Sequence, residues 1–215
     1  YSNDISYSYI QTITCDNDLL PSTYEYASDI LCGYNDETNT NILLIKSIPA
    51  SGNKSNFSIF ENNYYDNSFT FIQTITDISF QQNNRDNSGI QLSENGKYIL
   101  GFDTTSNSIE AYRLNKNIND NSYTFIPATT TETINSDSIQ NLKIANNGRL
   151  FLLKNNQILI YDLISDEVNF YYNIGFTHNV STYTNSLDIT QDEKYFAYNS
   201  NNSSIKVYKE NDGSN

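Results

Sequence analysis

His178 is the sole histidine in this chain of 215 residues, and a Ser, Thr or Cys nucleophile normally needs a base of that kind within reach. It stands in the polar run Gly175-Phe176-Thr177-His178-Asn179 with no serine-centred elbow beside it, so a solvated loop histidine is expected. Two cysteines and one histidine cannot furnish the three or four ligands of an ordinary zinc site. Neither GxGxxG nor GxxxxGK[ST] occurs, so no phosphate cradle is indicated. Asp16 and Asp18 flank Asn17, Asp36 and Glu37 follow Asn35, and the run Asn84–Gly89 alternates oxygen donors around Arg85. These acids leave Ca2+ as the one cofactor to consider, although the twelve-residue EF-hand spacing is absent. The simpler reading is turn formation, in which Asp and Asn bond their own backbone. Asp103, Asp162, Asp188 and Asp192 would have to face one another across a groove to hydrolyse a glycoside, and their spacing does not place them. No catalytic residue, no metal site and no enzyme is the expectation.

Cys15 and Cys32 are the two cysteines. A Cys15–Cys32 disulfide is expected, with two reduced thiols as the alternative. Asn-x-Ser/Thr sequons occur at Asn53, Asn56, Asn179, Asn201 and Asn202. With the acidity and the scarcity of lysine they favour a glycosylated chain outside the cell or at its surface, a cytoplasmic setting being the alternative.

The net charge is −13, from 25 acidic and 12 basic side chains. A surface of that sign repels phosphate backbones and anionic lipid, so neither nucleic acid nor a membrane surface is an expected partner. No run approaches the 18 apolar residues of a membrane span. The chain starts at Tyr1 and contains no Met, which suggests a processed product or a part of something larger. Apolar residues make up 37%, with 18 Tyr and 11 Phe. Because the aromatics recur in short alternating runs, they can bury a core despite the Asn-rich background.

Those runs form a repeat. Residues 90–114, 142–163 and 187–208 share one template: an alternating strand, a polar turn, a second strand, an Asn- or Ser-rich turn, and a third strand ending near Tyr112, Tyr161 or Tyr208. Asn95-Gly96 and Asn147-Gly148 are hairpin turns by composition. A more divergent copy covers 23–46. A further strand-like segment recurs as ISYSYIQTI at 5–13, SFTFIQTI at 68–75, SYTFIPAT at 122–129 and VNFYYNI at 168–174. Pro127 in the third of these argues for an edge strand, where a missing N–H does no harm.

Four strands per unit, the last at the edge, is the anatomy of a propeller blade. The expected fold is therefore all-β: a four-bladed β-propeller with four-stranded antiparallel blades, one domain over 1–215. The blades run about 22–75, 88–129, 139–174 and 186–209 plus 5–13. Blade one is expected to use 22–27, 30–34, 41–47 and 68–75, with 48–67 as a long aromatic-bearing linker. The last blade lacks an outer strand and the first outer-type strand is left over, so 5–13 is expected to pair with 204–209 and close the ring.

Ser93-Glu94-Asn95-Gly96-Lys97-Tyr98-Ile99-Leu100 resembles the hairpin of WD40 and lactonase-like propellers. Ile158-Leu159-Ile160-Tyr161-Asp162 resembles the strand that follows it. The resemblance is close over 88–114, 139–163 and 186–209 and implies architecture. The chain has Tyr161-Asp162, Tyr112-Arg113 and Tyr208-Lys209 where WD40 repeats end in Trp-Asp.

The functional expectation is a non-catalytic scaffold that contacts protein partners, copies of itself or a larger assembly through Tyr-, Asn- and Ser-rich loops. A second reading is a glycan-binding module using Tyr64, Tyr65, Tyr123, Tyr171, Tyr172 and Tyr183. The lactonase resemblance implies a third, a metal-dependent hydrolase in which acids and His178 converge at the axial channel.

Overall fold

The computed structural model describes residues 9, 11–13, 24–35, 38–49, 55–62, 65–78, 80, 90–103, 108–130, 139–154, 157–164, 167–175, 187–190, 194–201 and 204–210. Every regular element among them is a strand. Sheet one consists of β1 (Tyr24–Asn35), β2 (Thr40–Pro49), β3 (Ser55–Asn62) and β4 (Phe69–Ile78), in that order. Sheet two is β5 (Ile90–Leu92), β6 (Tyr98–Asp103), β7 (Ser108–Asn117) and β8 (Ser122–Pro127). The short β9 (Thr129–Thr130) joins sheet three in parallel, beside β10 (Ile139–Ile144), β11 (Arg149–Lys154), β12 (Gln157–Ile164) and β13 (Glu167–Gly175). Sheet four has β14 (Leu187–Ile189), β15 (Tyr195–Asn201) and β16 (Ser204–Lys209).

Alternation along each strand gives every sheet two usable faces, and the sheets stack through them. Leu44, Phe57 and Ile59 of sheet one meet Ile99, Tyr112 and Leu114 of sheet two. Leu100, Ile109 and Ala111 on the other face of sheet two meet Leu142, Leu150, Leu152 and Tyr161. Phe151, Leu153, Ile158 and Ile160 then meet Leu187, Phe196 and Tyr198 of sheet four. Each such side chain, taken fully out of water, contributes about 1.5–3 kcal/mol before entropy is counted. Of the three third-strand tyrosines, Tyr112 and Tyr161 are buried between sheets, and Tyr208 stacks on Phe196 of its own sheet with ring centroids 4.9 Å apart.

The hairpin turns read from sequence are present. Gly96 and Gly148 adopt φ of 68° and 91°, a region L side chains rarely enter. β8 lies at the edge of its sheet, as Pro127 requires.

Three expectations need correction. First, the ring is not closed by the two ends of the chain. Among the described residues β16 pairs with β15 alone, and residues 9 and 11–13 form no strand. Gln11 instead lies against Phe69 at the start of β4. Among the described residues, contacts link sheet one to two, two to three and three to four, with none of comparable extent from four back to one. The described sheets therefore form an open series.

Second, blade one is built differently. The turn expected at Ser28-Asp29 is a bulge between Ala27 and Asp29 within the continuous β1. The linker 48–67 contains β3, whose Phe57 and Ile59 are wholly buried.

Third, Cys32 is free and exposed on β1, so the structure does not support a Cys15–Cys32 disulfide. Cys15 lies outside the described residues.

Candidate functional site

Two arrangements stand out, one at the inner strands and one along the outer strands. The innermost strands β5, β10 and β14 border a shallow, open cleft of about 80 Å3. Sheet two contributes Gln91, Leu92 and Glu94, and sheet four contributes Asp188, Ile189 and Thr190. Between them run Lys143 to Asn146 of sheet three. Lys143 Nζ and Asp188 Oδ1 are 3.2 Å apart, and Asp188 is largely in solvent. The wall is braced by its turns. Asn95 N–H donates to Asn146 Oδ1 at 2.8 Å, and Asn95 Nδ2 donates to the Asn146 carbonyl at 2.6 Å. Tyr34 N–H donates to the Glu94 carbonyl at 2.6 Å. Amide side chains thus tie the turns of sheets two and three side by side, and the end of β1 is held to the turn of sheet two by main chain. The lining offers carboxylate, ammonium, amide and aliphatic groups together, suited to a mixed polar and apolar ligand.

On the outer strands a glutamine side chain imitates a β-bridge. Gln73 of β4 donates through Nε2 to the Tyr123 carbonyl at 2.7 Å and accepts the Tyr123 N–H through Oε1 at 2.8 Å. Gln11 makes the same two bonds to Phe69, at 3.1 and 2.5 Å. Both glutamines stand in Ile-Gln-Thr-Ile, at 10–13 and 72–75, and Ser68-Phe69 aligns with Ser122-Tyr123. The next copy has Pro127 where the glutamine stands. There the step is made by main chain instead, with β9 pairing against Glu167 and Val168 of β13.

Beneath this row Tyr123 is buried. Its hydroxyl donates to Glu61 Oε1, and Lys116 Nζ reaches the same oxygen at 2.5 Å. Burial first, and the Glu61 carboxylate second, push the Tyr123 phenol well above its ordinary value. This is an internal polar cluster, not an exposed binding group.

Of the six tyrosines expected to form a glycan face, two have described side chains. Tyr123 is in the core, while Tyr65 is 95% exposed in the turn before β4. Tyr171 and Tyr172 lie on β13, their side chains outside the described set. Tyr64 and Tyr183 lie outside the described residues. Of the sequons, Asn56 is buried on β3, so in the folded protein its amide is not presented for glycosylation. Asn201 ends β15, and Asn53, Asn179 and Asn202 are outside the described residues, as are His178, Asp16, Asp18, Asp36, Glu37 and 84–89. Among the described residues no three His, Cys, Asp or Glu side chains cluster to hold a metal, and no helix is long and apolar enough to cross a membrane.

Sequence reasoning missed the cleft and the role of the glutamines. The repeated Ile-Gln-Thr-Ile was the available signal for the latter.

No protein-family model and no curated protein matches the chain. Solved structures do. A protein from Lactobacillus plantarum superposes with TM-score 0.52 at 11% identity, over 87% of this chain and 53% of that one. Sqt1 from Chaetomium thermophilum gives 0.50 at 12% identity, over 86% and 46%. A putative 6-phosphogluconolactonase from Bacteroides uniformis gives 0.43 at 12% identity, over 84% and 67%. The chain thus spans about half the length of the first two. At these identities the likeness concerns fold alone, a propeller-like series of antiparallel sheets.

Proposed function

We propose that this chain is a non-catalytic binding scaffold that engages a polypeptide partner at the cleft bordered by β5, β10 and β14. The observation that carries the reading is the composition of that cleft. Glu94, Lys143 and Asp188 provide both signs of charge, Gln91 and Asn146 provide amide donors and acceptors, and Leu92 and Ile189 provide apolar surface. A polypeptide offers the matching set of main-chain amides, charges and aliphatic groups. The turn-to-turn hydrogen bonds hold the cleft walls in register, which limits the entropy lost on binding.

The test is a screen of a displayed random-peptide library against the folded chain and against Lys143→Glu. Like-charge juxtaposition costs several kcal/mol, so selected peptides are expected to lose at least about tenfold in affinity for the variant. Peptides that bind both proteins equally would place recognition elsewhere. Turnover of lactone or ester substrates that is abolished by Asp188→Asn would replace the reading with an enzymatic one.

A further inference from the structure

We propose that Asn147 is a site of spontaneous deamidation that the fold itself requires, and that its conversion to isoaspartate loosens the tie between sheets two and three. The proposal is independent of the cleft.

The fold leaves little choice at the residue after Asn147. Gly148 has φ of 91°. A Cβ built there would lie 3.2 Å from Leu163 Cβ and 3.3 Å from both the Leu163 carbonyl oxygen and Tyr98 Cζ. Positive φ and these contacts together disfavour any larger residue. Asn147 holds the turn from the other side, its Oδ1 accepting the Arg149 N–H at 2.8 Å. A side chain that bonds the backbone two residues on is what suits Asn to such a turn. Asparagine before glycine is thereby fixed here, and glycine is the successor whose nitrogen is least hindered in attacking the side chain.

The reaction needs only water. The Gly148 nitrogen attacks Asn147 Cγ, the Cγ–Nδ2 bond breaks, and ammonia leaves with the proton that the Gly148 nitrogen gives up. Water then opens the resulting succinimide. Cleavage of the ring at Cγ gives aspartate, and cleavage at the main-chain carbonyl gives isoaspartate. No oxidant or reductant takes part. The Arg149 N–H points at the oxygen on which negative charge develops, as donors aimed at an oxyanion do.

The second such pair, Asn95-Gly96, is the internal comparison. Asn147 is exposed, whereas Asn95 is half-buried. Asn95 Nδ2, the group that would leave, donates to the Asn146 carbonyl at 2.6 Å. Its Oδ1 accepts from Ser93 Oγ at 2.7 Å and from the Lys97 N–H at 3.1 Å. Turning that side chain toward Gly96 breaks bonds within sheet two and between sheets two and three. The glycine nitrogens do not distinguish the two sites: Gly96 N–H donates to the Ser93 carbonyl at 2.8 Å and Gly148 N–H to the Ala145 carbonyl at 3.0 Å. Asn147 is therefore the faster to react.

Isoaspartate routes the main chain through the side-chain carbons and lengthens the turn closed by Gly148 N–H and the Ala145 carbonyl. Asn146 lies inside that turn. It accepts the Asn95 N–H through Oδ1 and Asn95 Nδ2 through its carbonyl, so its displacement releases both.

Ageing of the intact folded chain at mildly alkaline pH tests this, with peptide mapping by mass and electron-transfer fragmentation to separate aspartate from isoaspartate. Asn147 should convert at least about tenfold faster than Asn95, as expected when one site reacts from the native state and the other only after opening. In urea the two rates should converge, because both sites are then asparagine before glycine in an open chain. The aged chain, separated by ion exchange, should exchange the Asn95 N–H faster than the fresh chain by about tenfold or more. Asn147→Ser, which keeps a side-chain acceptor in the turn, should age without that acceleration. Equal rates at the two asparagines of the folded chain, or faster conversion at Asn95, overturn the proposal. Rates that stay apart in urea do so too, since local sequence and not the fold would then set them. Conversion at Asn147 with unchanged exchange at Asn95 overturns the coupling between the two turns.

Discussion

Phe80 occupies the space over Gly101: a Cβ built at Gly101 would lie 2.5 Å from Phe80 Cδ1. The ring is held in place from behind, because Ser55 Oγ donates to the Phe80 carbonyl. It also packs edge-on against Tyr112 with centroids 5.2 Å apart. The absence of a side chain at Gly101 is thus what lets the joint between sheets one and two close.

Gly101→Ala should accordingly destabilise the protein by about 1–3 kcal/mol through overpacking, read as a shift in the urea midpoint at unchanged slope. The double variant Gly101→Ala/Phe80→Leu should regain part of the loss, since the clash is with the ring. Additive losses would show that the two residues do not press on each other.

Gln73→Leu keeps the bulk of the side chain and removes both hydrogen bonds to Tyr123. With a buried N–H and carbonyl left without their partner, a loss of about 1–3 kcal/mol is expected. Gln73→Glu retains an acceptor for the N–H but no donor for the carbonyl, and should fall between the two. Denaturant titration of the three proteins checks the order. A Gln73→Leu protein as stable as wild type would mean that the bridge between β4 and β8 is immaterial.

The buried phenol of Tyr123 makes stability depend on alkaline pH. Its folded-state value is raised, chiefly by desolvation and then by the Glu61 carboxylate. Below about pH 10, the unfolded value, both states hold the proton and nothing changes. Above it the unfolded chain releases the proton while the folded one keeps it. Stability should therefore fall with rising pH by about 1.4 kcal/mol per unit for this group. Tyr198 is shifted in the same direction, by burial and by Tyr208, and adds to the slope. Tyr123→Phe should flatten the decline between about pH 10 and 12. Identical slopes in wild type and variant would contradict the assignment.

What the sequence disclosed is what short-range chemistry controls. Asn95-Gly96 and Asn147-Gly148 announce their hairpins because the turn needs positive φ, and Ile158-Leu159-Ile160-Tyr161 announces a strand with two buried faces. β3 escaped because Ser55-Asn56-Phe57-Ser58 sits in a polar, Asn-rich surrounding. Its burial comes from sheet two, far along the chain. The bulge between Ala27 and Asp29 imitated a turn for the same reason, its continuity being enforced by pairing with β2. The segment around Gln11 has the pattern of an outer strand, yet its described residues form none, because pattern marks a type of segment and not the neighbour it needs. The cleft was illegible because β5 and β14 have only three residues each, too few to show a period.

The central claim is that the Gln11 segment stands against sheet one and not on β16 of its own chain. Amide exchange by nuclear magnetic resonance tests it, with Gln11 intact or replaced by Ala. The Phe69 N–H donates to Gln11 Oε1. Its exchange should accelerate by about tenfold or more when that acceptor is removed, while the amides of Ser204–Lys209 stay as they were. An unmoved Phe69 together with faster exchange along Ser204–Lys209 would put the segment on β16 and contradict the open series of sheets.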